Sequence, residues 1–97
     1  MRLEWDLRKK KENLKRHGIS FEEAAQLFLG ASDPMEVFDW THSDDEDRFV
    51  AIGPIARGVI VVVFTERDDE TVRIISARAS TRKEMQSYEA WKSGAID

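Results

Sequence analysis

Apolar and polar positions alternate at the start of the chain, where Arg2, Leu3, Glu4 and Trp5 read as a short strand covered on one face. Asp6 is placed as a helix N-cap, and a helix is predicted from there to about His17, stopped by Gly18. Its apolar stripe is thin. Leu7 and Leu14 share one face while Arg8 to Lys11 spread charge around the cylinder, so this helix is expected to rest lightly on the core. The next helix is better specified: Ser20 and Glu23 have capping-box spacing, and Ile19 precedes the cap as a staple for Ala24. Phe21, Ala24, Ala25 and Phe28 recur at helical spacing and mark its core face. Gly30 and the Ser32-Asp33-Pro34 stretch end it.

From Val37 the period shortens to that of strands. Val37 to Trp40 is a predicted strand, Thr41 to Asp47 a polar connection, and Arg48 to Gly53 alternates Arg48, Val50 and Ile52 against Phe49, Ala51 and Gly53. Pro54 and Gly58 are expected to bracket a turn. Val59 to Thr65 is β-branched and apolar on both faces, as a central strand covered on two sides must be. After the acidic turn Glu66 to Glu70, Val72 to Arg78 is the last strand of an antiparallel meander. Thr81 and Glu84 form a second capping box, which opens a C-terminal helix with Met85, Tyr88 and Trp91 on one side. The resulting order β-α-α-β-β-β-β-α is α+β: two N-terminal helices pack on one face of an antiparallel sheet of four to five strands, a C-terminal helix follows, and the other face is partly open.

With 97 residues there is room for one domain, 1–97, with one modest core. The 41% hydrophobic and 35% charged residues argue against disorder. Without cysteine there is no disulfide framework and no thiolate metal site, which fits a reducing cytoplasm. The longest apolar run, Val59 to Phe64, is too short to span a bilayer, and Met1 to Leu7 lacks the pattern of a signal peptide. A net charge of −4 would discourage a nucleic-acid partner, but the charge is segregated. Residues 1–17 hold seven basic and three acidic side chains, residues 18–47 hold nine acidic and no basic ones, and Thr71 to Lys92 turns basic again. Such segregation can set a basic surface beside an acidic one.

Candidate chemistry concentrates on arginines. Strict alternation over residues 72–78 puts Arg73, Ile75 and Ala77 on one face and Val72, Ile74, Ser76 and Arg78 on the other, so Arg73 and Arg78 are expected to point in opposite directions. Arg78 at the strand end and Arg82 in the first turn of the last helix are placed to converge on one anion near a helix N-terminus. Arg67 lies across the acidic turn from Arg73. The plainer reading pairs these arginines with Glu66, Asp68 or Asp69. His17 either caps its helix or moves protons, histidine being the side chain that titrates near neutrality. His42 beside Ser43 lacks the glycine elbow of a nucleophile, and Asp44 to Asp47 lacks the spacing of a calcium loop. With two histidines a multi-imidazole metal site is not expected, and neither is a cofactor.

Several separated stretches, Glu4 to Asp6, Asn13 to Ala24, His42 to Phe49, Thr65 to Arg67, and Arg73 to Thr81 with Glu84 and Tyr88, together resemble BrnT-type toxins of type II toxin–antitoxin systems. The resemblance implies a RelE-like fold and a bacterial cytoplasmic ribonuclease that arrests translation. It also implies neutralisation by a cognate antitoxin with a ribbon-helix-helix DNA-binding domain, in a hetero-oligomer that represses its own operon and touches DNA only through the antitoxin. In such folds the RNA 2′-hydroxyl attacks the adjacent phosphate, a reaction served by positioning and electrostatics. Carried onto this chain, the resemblance implies that Arg67, Arg78 and Arg82 hold phosphate and that His17 or Tyr88 assists proton transfer. Lys11, Lys15, Arg73 and Lys83 would contact RNA, and Glu46 and Arg48 would form a structural pair. The alternative is a catalytically inactive antitoxin-binding module acting in operon autoregulation, a reading that the pI near 5.2 favours.

Overall fold

The apolar run Val59 to Phe64 lies where its two-sided hydrophobicity requires, in the middle strand of a five-stranded sheet. A computed structural model describes residues 1–30 and 33–94. Its elements are β1 (Arg2–Glu4), α1 (Leu7–His17), α2 (Phe21–Ala24), α3 (Gln26–Leu29), β2 (Met35–Phe38), β3 (Phe49–Ile55), β4 (Gly58–Asp68), β5 (Thr71–Ala79) and α4 (Arg82–Lys92). The sheet order is β1-β5-β4-β3-β2. Strands β2 to β5 form the expected antiparallel meander, but β1 runs parallel to β5 with Leu3 opposite Val72, so the sheet is mixed. The three helices and three strands between β1 and β5 form a long crossover, which imposes none of the reversal that a tight turn does. Among the described residues no helix is long and apolar enough to cross a membrane.

Three boundaries differ from expectation. The second helix divides at Ala25: its N–H still reaches Phe21 O, but Phe28 N–H donates to Ala25 O three residues back, tightening the ladder there. β2 begins at Met35, which is drawn inward opposite Ile52, and ends at Phe38. Pro54 lies inside β3, and the hairpin turn is Ala56-Arg57. Val59 O accepts from Ser80 N–H, on the side away from Pro54, so the Pro54–Val59 pair needs no ladder bond. The predicted stop at Ser32 lies outside the described residues; Gly30 does cap α3, its N–H donating to Gln26 O.

Ile60, Val62 and Phe64 face α2 and α3, where Phe21, Ala24, Ala25 and Leu27 complete the main core. Val61 points to the opposite face, and α4 lays Tyr88 over Met35, Ile52 and Val61 there. Both predicted capping boxes are formed, Ser20 with Glu23 and Thr81 with Glu84.

α1 is held by a polar residue. Leu7 is 69% and Leu14 48% exposed, whereas Asn13 is 6% exposed. β1 pairs with Thr71 to Arg73 only, so β5 runs on beyond it with its outer edge open. At Ala77 the Asn13 amide takes the place of a neighbouring strand: its Oδ1 accepts from Ala77 N–H at 3.0 Å and its Nδ2 donates to Ala77 O at 2.9 Å. The second Nδ2 hydrogen goes to Ile19 O at 3.0 Å, which fixes the turn after α1. Gly18 makes that turn possible, at φ 71° with its N–H on Leu14 O.

Replacing Asn13 by Asp keeps the shape but leaves both carbonyls facing a carboxylate without donors. Asn13→Asp is therefore expected to cost about 2–4 kcal/mol in denaturant unfolding. Leu14→Ala is expected to cost less than about 1 kcal/mol. Equal losses would show that α1 is held by its leucines.

Candidate functional site

Strand β5 carries one residue more than its partner. Val63 lies opposite Ser76 but Phe64 lies opposite Ile74, so Ile75 is a bulge. The extra residue reverses the alternation beyond it. Val72 and Ile74, then Ala77, face the helices with Phe64 and Val62. Arg73, Ser76 and Arg78 lie opposite Thr65, Val63 and Val61, on the other face. The expectation that Arg73 and Arg78 point apart is thus corrected: the bulge puts both on the face that α4 only partly covers.

α1 runs beside this stretch, and its docking through Asn13 leaves a groove of about 210 Å³. Lys9, Glu12, Asn13, Arg16 and His17 line it from the helix, and Ile75 and Ser76 from the strand. Lys9 and Arg16 are seven residues apart, two turns on one side of the helix, which brings their cations to the same groove. Three side chains that can carry positive charge therefore face one carboxylate, Glu12.

The arginines flanking the groove are held by carboxylates that differ from the expected partners. Arg73 Nη1 donates to Glu4 Oε2 at 2.6 Å, and Arg67 Nε stands 3.9 Å from the same oxygen. Arg67 is itself the extra residue of a second irregularity, between Glu66 and Asp68 of β4. Arg78 grips Glu84 with its two terminal nitrogens, Nη1 to Oε1 at 2.7 Å and Nη2 to Oε2 at 2.8 Å. Glu84 Oε1 also accepts from Thr81 N–H at 2.9 Å, so one carboxylate caps α4 and pins the arginine. The Arg78 hydrogen bonds, with the helix cap behind them, hold the Glu84 carboxyl down at about 2.

Other expected site residues are distributed unevenly. His17 is exposed at the end of α1, in the groove. Lys11, Lys15, Arg82 and Lys83 are exposed. Arg78 is turned to Glu84, the carboxylate that also caps α4, while Arg82 in the first turn of that helix is exposed. Tyr88 is buried beneath α4, its hydroxyl without a hydrogen-bond partner, and α4 packs on β2 and β3 rather than beside α1. It is a core residue and is not brought to His17. Ser43 is structural too: its hydroxyl donates to Asp39 O at 2.6 Å and accepts from Arg48 N–H at 2.9 Å, closing the acidic loop. Arg48 and Glu46 stand 3.9 Å apart as the expected pair. Lys9, Arg16 and Ser76 were not singled out from the sequence; the signal was the polar stripe of α1 around Asn13.

Residues 5–84 match a family described as the ribonuclease toxin, BrnT, of type II toxin–antitoxin systems. The crystal structure of the Brucella abortus ribonuclease toxin BrnT is similar, with 27% identity, a TM-score of 0.63, and coverage of 84% of this chain and 99% of that one. No curated protein matches the chain.

The Arg78–Glu84 pair makes stability depend on acid. Its carboxyl titrates at about 2 when folded against an ordinary 4.5, so the stabilisation is complete above about pH 4.5 and is lost as pH falls towards 2. With Arg78 partly exposed to screening water, the contribution is about 1–2 kcal/mol. Glu84→Gln is expected to lower Tm at pH 7 and to narrow its gap from the parent chain at pH 3; parallel Tm curves would contradict the pairing.

Proposed function

The chain belongs to the BrnT family of ribonuclease toxins from type II toxin–antitoxin systems, and on that premise we propose that it is a metal-independent endoribonuclease that threads RNA along the groove between α1 and β5. The observation that carries this reading is the bulge at Ile75, which aligns Arg73, Ser76 and Arg78 on one face, with Ser76 in the groove that Lys9, Arg16 and His17 line. Arg73 and Arg78 are roughly 15 Å apart along the strand, a span longer than one nucleotide. They are suited to phosphates flanking the one that reacts.

In the proposed reaction the RNA 2′-oxygen loses its proton and bonds to the adjacent phosphorus. The bond from phosphorus to the 5′-oxygen breaks, that oxygen takes up a proton, and a 2′,3′-cyclic phosphate remains. His17, exposed in the groove, is the candidate for moving a proton. Lys9 and Arg16 are the cations that meet the charge building on the phosphoryl oxygens. Arg67, Arg82, Lys11, Lys15 and Lys83 supply sequence-independent attraction from the surrounding surface. The chain would act in the bacterial cytoplasm, arresting translation. A cognate antitoxin with a ribbon-helix-helix domain would neutralise it and carry the complex to operator DNA.

A second reading has an observation of its own. Arg73 and Arg78 are already paired with Glu4 and Glu84, so a chain that binds antitoxin and no longer cuts RNA also fits. Cleavage of a short RNA in EDTA separates the two.

His17→Ala is expected to lower the cleavage rate about 100-fold and Lys9→Ala with Arg16→Ala about as much, both relieving growth arrest on expression without antitoxin. Tyr88→Phe is expected to stay within about twofold, since the hydroxyl it removes is buried away from the groove. Full cleavage by the His17 and Lys9/Arg16 variants would refute the groove. No cleavage by the parent chain would favour the inactive module.

A further inference from the structure

The surface at the far edge of the sheet has the opposite character. β2 is the edge strand, and Trp40, just beyond it, is 85% exposed, the most exposed of the large hydrophobic side chains among the described residues. Trp40 is held edge-on against Phe38, with ring centroids 4.7 Å apart, and Val37 beside them is also exposed. The main chain of this edge is open as well. Asp39 N–H bonds to Arg48 O, so in the antiparallel pairing the N–H and C=O groups of Glu36 and Phe38 point away from β3. Asp33 and Glu36 lie just before and within this strand, and Asp44, Asp45 and Asp47 lie in the loop that follows Trp40, none of them in an ion pair among the described residues. Partial desolvation, with the like charges of Glu66 and Asp33, raises the Glu36 carboxyl above its ordinary value.

We propose that this edge is the antitoxin's anchor, taking an extended, basic segment of the antitoxin as a sixth strand beside β2, with an arginine or lysine of that segment over Trp40. The assignment deepens the toxin–antitoxin reading and rests on it. An open edge supplies main-chain pairing, and an exposed indole beside unpaired carboxylates is a site for a cation. The same carboxylates repel RNA. β2 and the groove at β5 are on different sides of the sheet, β2 and β5 being three strand spacings, roughly 14 Å, apart. Filling the anchor therefore leaves the groove open, and neutralisation requires the rest of the antitoxin to reach across.

The test uses the full chain and its purified cognate antitoxin, with affinity measured by calorimetry at two salt concentrations. Trp40→Ala is expected to weaken binding at least about tenfold. Asp44→Lys with Asp45→Lys is expected to do the same and to flatten the salt dependence. The amides of Glu36 and Phe38 should gain protection from hydrogen exchange in the complex, and RNA cleavage by the free variants should match the parent. Affinities within twofold of the parent, no added protection at Glu36 and Phe38, or loss of binding only through Lys9→Ala with Arg16→Ala would overturn the anchor. So would a Trp40→Ala effect confined to dissociating a dimer of this chain. If the parent cuts no RNA yet Trp40→Ala abolishes the complex, the anchor stands and the ribonuclease reading falls.

Discussion

The amide of Asn13 joins α1 to the sheet, and the geometry of the groove depends on that junction. Strand β1 is only three residues long, so the outer edge of β5 would otherwise expose the N–H and C=O of Ala77. A buried side chain satisfies both groups and spends its remaining hydrogen on Ile19 O. A leucine stripe could slide by fractions of a turn at little cost, whereas three directed hydrogen bonds specify the rotation of the helix. Rotation is what matters here: with Asn13 inward, Lys9 and Arg16 are carried to the groove side and Leu7 and Leu14 are left towards water.

On the strand side the equivalent constraint is the bulge at Ile75. A regular β5 would send Arg73 and Arg78 to opposite faces, and no continuous basic strip could form along it. Glu4 and Glu84 then hold the two guanidiniums in defined positions without burying them fully. An arginine held this way is positioned in advance, but a phosphate must displace or share its carboxylate. The protein as a whole stays acidic while its charge is sorted, with basic groups along α1 and β5 and carboxylates along β2 and the loop after Trp40. That sorting gives the two ends of one small sheet opposite electrostatic character.

Local chemistry in the sequence carried much of this. Both capping boxes, the Asp6 cap, the Gly18 stop and the two-sided apolar strand β4 follow from side chains acting on their own backbone, and all are found. The family resemblance also pointed correctly to the BrnT toxins. What alternation could not reveal was the bulge, because an extra residue in a strand leaves no compositional mark at Ile75. The parallel pairing of β1 is a property of a long crossover and is invisible to local pattern. Tyr88 showed the correct helical spacing with Met85 and Trp91, and that spacing meant core. Asn13 was legible only as a polar residue in a helix, since its partners lie 6 and 64 residues away.

The most direct test of the account is a nuclear magnetic resonance titration of the labelled chain with a short RNA whose 2′-hydroxyls are methylated, so that it binds without being cut. Saturable shifts at the amides of Lys9 to His17 and of Ile75 to Arg78, weakening as salt rises, are the result expected. Shifts confined to β2 and the acidic loop, or none at low salt, would contradict it.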